Sequence, residues 1–297
     1  MPTLKQLKTD IQFNRELESL IEVLKGIASS HFRHVQARRE YFRRFNHSLS
    51  DLFRMVNLLK SKHPFLHQKP SGPDGQQKGD GSPGREPSPK TCVMVITSDE
   101  GFLGDLNARV IDAGLSNRKE GDILIVLGER GAHSLEEMQE SFLFFPGIPE
   151  EIGHEHAYKL RDYIIQQYMR RKFGRVIIVY PKFISFSQQE VSVVQLLPYT
   201  LNIAEAGEEQ KMTHEILIEP SENSVIDYLI RAWMEQEIYN ILWESKLSEL
   251  ASRVIHLEGS SQVISELNKK LRFSYFRTLH RISDKNIREI AASRLIK

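Results

Sequence analysis

Near the start of the chain the apolar positions alternate in steps of four and three. Leu17, Ile21, Leu24 and Ala28 lead to His31, Val35 and Arg38, then to Phe42, Phe45, Leu49, Leu52, Val56 and Leu59, with only His31 and Arg38 polar. That alternation is a 3.5-residue period, the seam of a left-handed coiled coil. Residues 4–62 hold one glycine, Gly26, and no proline, so one helix is expected there, about 85 Å long at 1.5 Å per residue. A helix of that length outruns a small globular core, so its seam calls for a partner helix. His63 precedes Pro64, and a proline disfavours helical geometry in the residue before it, which places the end of the helix.

The last part of the chain has the same grammar. Glu219, Pro220, Ser221 and Glu222 form a helix start, with Ser221 as the cap and Glu222 near the positive helix end. No proline follows. Apolar positions recur at Ile226, Ile230, Trp233, Ile238, Ile241, Leu250, Val254 and Leu257, then at Ile264, Leu267, Leu271, Tyr275, Leu279, Ile282, Ile287 and Ile290. If unbroken at Gly259, Ser260 and Ser261, this helix reaches about 110 Å and overhangs the first by several turns. Pairing of the two ends as an antiparallel coiled coil is the expected solution.

The middle reads differently. Residues 68–90 consist of Pro, Gly, Ser, Gln and charge, too little apolar surface to offset the entropy of ordering, and are expected to be a disordered linker. Thr91 to Thr97, Asp122 to Gly128 and Arg175 to Tyr180 are short apolar runs rich in β-branched residues. Strands apolar on both faces belong in parallel sheets covered on both sides. Helical stretches at 107–117 and 154–173 separate them, which points to βαβ units. Further strands are expected at 190–197 and 214–219. The resulting partition is 1–64 as the N-terminal helix, 65–90 as linker, 91–219 as an α/β domain and 220–297 as the C-terminal helix.

Composition adds exclusions. The net charge is +1, so no global field draws the chain to nucleic acid or anionic lipid. Cys92 is the single cysteine, which rules out an intramolecular disulfide, and its apolar run makes it a small core residue. No stretch approaches the ~20 apolar residues of a membrane span, and no apolar signal region follows Met1.

The most tempting chemistry lies between Thr97 and Asn107, after a strand and entering a helix, where phosphates often bind. The segment matches neither the dinucleotide fingerprint nor the P-loop, has no lysine, and carries Asp99, Glu100 and Asp105, which would repel a phosphate. Gly128, Glu129, Arg130 and Gly131 also lack the full glycine spacing. His133, His154 and His156 are joined by no spaced cysteine or carboxylate that completes a metal site. No nucleophile elbow or zinc-binding helix motif is present. Neither catalytic residues nor a cofactor or metal are expected.

Taken together, the residues resemble the gamma subunit of F-type ATP synthases. Thr3, Leu4 and Lys5, then Ala28, Ser29, Ser30 and Arg33, are similar to that family's opening helix. Ser98, Asp99, Gly101, Gly104, Leu106 and Asn107 are similar to its loop signature, with Glu100, Leu103 and Asp105 where the family has arginine, cysteine and a second glycine. Lys182 with Phe183, Gln195 to Pro198, Glu219 with Pro220, Glu249 to Arg253, Tyr275 with Arg277, and Glu289 with Ile290 follow the family's later elements.

The resemblance implies a Rossmann-like α/β domain inserted between N- and C-terminal helices that pack together. It implies a non-catalytic central-stalk rotor shaft that couples ion flow, proton or sodium, to ATP synthesis or hydrolysis. Its partners would be the alpha, beta and epsilon subunits and the membrane c-ring, and it would sit peripherally at the cytoplasmic face of a bacterial inner membrane. Arg33, Asp99, Glu100, Arg277, His280 and Glu289 are the subunit-contact candidates. Two other readings stand beside it: a coiled-coil scaffold or degenerate paralogue outside a motor, and a nucleotide-binding α/β enzyme. Deleting residues 68–90 is expected to leave the melting temperature within a few degrees of the parent in a thermal scan, whereas a drop of about 10 °C, which for a chain of this size corresponds to several kcal/mol, would show that the segment is ordered.

Overall fold

The computed structural model describes residues 3–37, 64–66, 90–199, 219 and 221–295. The chain forms two compact units, Met1–Phe32 with Leu250–Lys297, and Arg33–Glu249. The elements in chain order are α1 (Leu4–Ala37), β1 (Thr91–Ile96), α2 (Leu106–Ser116), β2 (Ile123–Leu127), α3 (Glu129–Glu137), β3 (Leu143–Phe145), α4 (His154–Met169), β4 (Arg175–Ser185), β5 (Gln188–Leu197) and α5 (Glu222–Leu295). The rest of the expected first helix, the 68–89 part of the linker and all but Glu219 of the strand expected at 214–219 lie outside the described residues.

In the first unit α1 and α5 run antiparallel. Lys25 reaches Glu258 (2.9 Å), Glu22 accepts a hydrogen bond from Ser261 (3.0 Å), and Glu18 accepts one from Asn268 (3.4 Å), so the α5 number rises as the α1 number falls. The shielded positions of α5 step through Leu250, Val254, Leu257, Ser261, Ile264, Asn268, Leu271, Tyr275 and Thr278, alternating four and three as a 3.5-residue seam requires. Those of α1 step through Leu7, Ile11, Asn14, Glu18, Ile21, Lys25 and Ala28 in the same rhythm. The seam thus starts further N-terminal than the apolar letters indicate and admits two buried asparagines, Asn14 and Asn268, with Leu267 left 45% exposed. From Leu279 to Ser293 every residue of α5 is exposed, with no described residue covering it. Gly259 does not break α5, which is continuous over 74 residues.

The second unit is built on a five-stranded sheet ordered β3-β2-β1-β4-β5. β1 lies parallel to β2 and β4, β3 parallel to β2, and β5 closes the edge antiparallel to β4. Cys92 to Ile96 are all buried, as an internal strand covered on both faces demands. Burial of its thiol in that strand pushes the Cys92 pKa up to about 12. Val93, Val95, Leu124, Val126, Ile177 and Val179 on one face pack with Val110, Ile111 and Leu135 of α2 and α3. The crossover through α4 returns in the opposite direction across the sheet, and right-handed crossovers then place α4 on the other face. The N-terminal part of α5 shares that face: Tyr180 of β4 donates a hydrogen bond to Glu244 (3.1 Å), and Arg161 of α4 pairs with Glu235. Ser221 caps α5 as expected, its hydroxyl accepting the Ser224 amide at 3.3 Å.

The contact of α5 with β4 carries an electrostatic load. Burial, reinforced by the negative charge of Glu244 and partly offset by Lys182, pushes the Glu237 carboxyl up to about 7 from 4.5. A group whose pKa is raised on folding costs stability when ionised. The cost is absent below pH 4.5, grows above it, and is fully present once pH passes about 7. Glu237→Gln is therefore expected to raise unfolding free energy at pH 8 by on the order of 2 kcal/mol and to change little at pH 4.5. Urea titrations of the full chain at both pH values check this, and a difference independent of pH would show that the carboxylate has no raised pKa.

Candidate functional site

Open α/β sheets bind ligands outside the C-terminal ends of their strands, at the point where strand order reverses. Here that point lies between β1 and β4. Thr97 ends the strand buried, its amide and its hydroxyl both donating to the Leu127 carbonyl (2.9 and 2.6 Å) while its hydroxyl oxygen accepts the Gly131 amide at 3.1 Å. Gly128 has φ of 99°, and a Cβ there would meet the Thr97 carbonyl, so glycine is required at the start of α3. The crevice is filled by the protein itself. Leu103 and Leu106 enter from the loop side, Ile148 and Pro181 from the flanks, and Ser245 and Glu249 from α5, leaving a cavity of about 10 Å³. That is room for one water, far below the several hundred Å³ of a nucleotide pocket.

The loop that follows β1 is tightly built. The Ser98 hydroxyl donates to the Glu100 carbonyl (2.7 Å) and accepts from the Asn107 amide (2.8 Å), while Asn107 Oδ1 accepts the Ser98 amide at 3.3 Å. The Asp99 carboxylate accepts the Glu129 backbone amide at 3.0 Å, so it stabilises the positive end of α3. The effect is to present Glu100, Gly101 and Phe102 outward, with Phe102 54% exposed at a φ of 64°. Beside them is an open hollow of about 290 Å³ lined by Gly101, Phe102, Leu103, Gly104, Asn107 and Arg130. The outward placement of Phe102 and its nearness to Arg130 were not legible from the letters alone: a phenylalanine beside Leu103 reads as core, and Arg130 reaches Gly101 only through the fold.

Among the other candidates, Arg33 is exposed on α1. Arg277 and His280 are exposed one turn apart on α5, and Glu289, also exposed, pairs with Lys285 at 3.7 Å. Asp99 and Glu100 are thus brought together in one loop, and Arg277, His280 and Glu289 share one helix. Around the latter, Phe273, Phe276, Leu279, Ile282, Ile287 and Ile290 are all exposed, between 40% and 72%. His154 stacks on Tyr239 (ring centroids 4.1 Å apart) and sits 3.8 Å from Glu235, a structural contact at the start of α4. Among the described residues no group of three His, Cys, Asp or Glu side chains is placed to hold a metal ion, and no helix is long and apolar enough to cross a membrane.

Comparison with known proteins agrees with the architecture. Residues 3–293 match the family model described as ATP synthase. The chain is 26% identical over 297 residues to the ATP synthase gamma chain of Halothermothrix orenii, covering 98% of this chain and 97% of that one. It is 25% identical over 306 positions to the gamma chain of Chlorobaculum tepidum, covering 98% of each. Among solved structures, the fold is shared with a chain of the Euglena gracilis mitochondrial ATP synthase OSCP/F1/c-ring structure, TM-score 0.68 at 15% identity over 98% of this chain and 93% of that one. It is also shared with a chain of the Tetrahymena thermophila central stalk and c-ring structure, TM-score 0.57 at 21% identity over 82% and 99%. With long terminal helices packed on each other, a closed crevice where such sheets bind ligands, and a family match along nearly its whole length, the chain belongs to the gamma family of ATP synthase.

Proposed function

We propose that this chain is the central-stalk rotor shaft of an F-type ATP synthase. The observation that carries the reading is the run of α5 beyond Thr278, a helix that continues fully exposed past the end of its partner while bearing large apolar and basic side chains. A helix in that state needs a surrounding surface to cover it, and a ring of alpha and beta subunits would supply one. The shaft would contribute no catalytic residue. Its asymmetric surface would bias each beta subunit by differential contact, the only way a rotating element can shift a conformational equilibrium. The α/β domain would engage the epsilon subunit and the c-ring, coupling the flow of protons or sodium ions to ATP synthesis or hydrolysis. The complex would hold the chain peripherally on the cytoplasmic face of a bacterial inner membrane. The working partition is 1–64 and 220–297 for the shaft, 91–219 for the domain and 65–90 for the connection.

In this reading Arg33, Arg277, His280 and Glu289 contact the ring along the shaft, and Asp99 with Glu100 contact it from the loop after β1. That loop suits the role because its backbone is locked by Ser98 and Asn107 while Glu100 stays exposed.

Co-expression with the alpha, beta and epsilon subunits of the same source tests the proposal. A complex with one copy of this chain per three alpha and three beta, whose ATP hydrolysis depends on it, is the expected result. A chain that stays alone or binds only itself supports the scaffold reading instead. Within the assembled complex, Arg277→Ala is expected to lower the ions pumped per ATP on the order of two- to five-fold, in keeping with loss of one exposed charged contact, while the melting temperature of the isolated chain stays unchanged. An unaltered pumping ratio counts against that role.

A further inference from the structure

Gly26 and Gly259 lie within one turn of each other along the antiparallel pair. Lys25 pairs with Glu258 across the seam at 2.9 Å, which sets Gly26 opposite Leu257, about 3 Å along the axis from Gly259 at 1.5 Å per residue. Neither glycine is required by space. A Cβ built at Gly26 or at Gly259 meets nothing within 4 Å, and both stand inside continuous helices. Helical geometry does not require glycine there either, and glycine weakens a helix interior relative to alanine. Two facing helices thus carry their weakest backbone residue within the same turn, with no packing reason for either.

The surroundings weaken the same level further. Ser260 bonds back to the His256 carbonyl at 2.8 Å, a contact that competes with the helix ladder and bends it. Leu257 is the one large apolar residue of the seam at this turn, while Lys25, Ala28 and Ser261 occupy seam positions of the kind that Ile21 and Ile264 fill on one side of it. The polar bridges between the helices are Lys25 to Glu258 and Ser261 to Glu22, and Lys25 is also held by Glu22 of its own helix. Such surface ion pairs hold weakly and are screened by salt.

We propose that Gly26 of α1 and Gly259 of α5 form a paired hinge, at which both helices of the coiled coil open and bend as one unit. The inference stands on the first compact unit alone and does not depend on the rotor reading.

Hydrogen exchange of the full chain, read by mass spectrometry, tests it. Amides in 24–30 and 257–263 are expected to exchange about ten-fold faster than those in 14–20 and 265–271, as a local opening does relative to its flanks. Gly26→Ala is expected to slow exchange about five-fold in both segments, including the α5 segment that it does not alter, and Gly259→Ala to do the same. The double variant should slow both by about 25-fold, the product of two additive helix effects. Both alanines fit the open space, so the variants are expected to fold. Uniform exchange along the wild-type pair would overturn the proposal. So would a Gly26→Ala effect confined to α1, which would mean two independent weak points instead of one hinge.

Discussion

The 74-residue helix α5 has to find something to bury its apolar stripe against, and the rest of the structure follows from how it does so. Isolated helices are marginal in water, and most of their stability comes from packing. From Ile226 to Glu249 the helix lies in the α/β unit, with Ile230, Met234, Ile238, Ile241 and Leu242 at or below 2% exposure. From Leu257 to Thr278 it narrows to the 3.5-residue seam of a two-helix pair. From Leu279 to Ser293 the helix is exposed, with no described residue packed against it. One element therefore shows three burial regimes, set by what stands opposite it.

The same helix decides what the sheet can do. The strand order and the β1–β4 reversal make the geometry of a ligand-binding fold, yet Ser245 and Glu249 descend into that crevice and close it to about 10 Å³. Close by, the buried Lys246 ammonium lies 3.4 Å from the Ile148 carbonyl and 3.2 Å from Glu249. The ion pair is internal to α5, so the Lys246 ammonium donating to the Ile148 carbonyl is what ties this turn of the helix to the loop before α4.

Polar residues recur where apolar ones would hold more strongly. Asn14 and Asn268 sit in the coiled-coil seam at 8% and 5% exposure, and Lys25 occupies another of its positions. Buried polar residues in a seam fix register and orientation at a cost in stability. Glu237 does something comparable on the sheet, where its charge opposes docking as pH rises. These side chains trade strength for a defined alignment, and the turn that carries Gly26 and Gly259 lies in the same coiled coil.

Much of the architecture was legible in the letters. The four–three rhythm, the absence of proline after Pro220, the Ser221 cap and the β-branched runs at 91–97, 122–128 and 175–180 are local signals, and local geometry obeys them. Other features were not. The helix α3 and the short strand β3 were missed because each is brief and takes its place from a neighbour: Asp99 holds the start of one, and pairing with Ile125 to Leu127 defines the other. The exposure of Phe102 was equally hidden. The seam passes through Asn268 and spares Leu267 because burial is set by the facing helix, not by a residue's own hydrophobicity. The sequence by itself determined that two long helices and a parallel sheet would form, since periodicity and proline placement act within a few residues. Only the tertiary structure decided the register of the pair, the closing of the crevice by Ser245 and Glu249, and the raised pKa of Glu237, since each depends on groups brought together from distant parts of the chain.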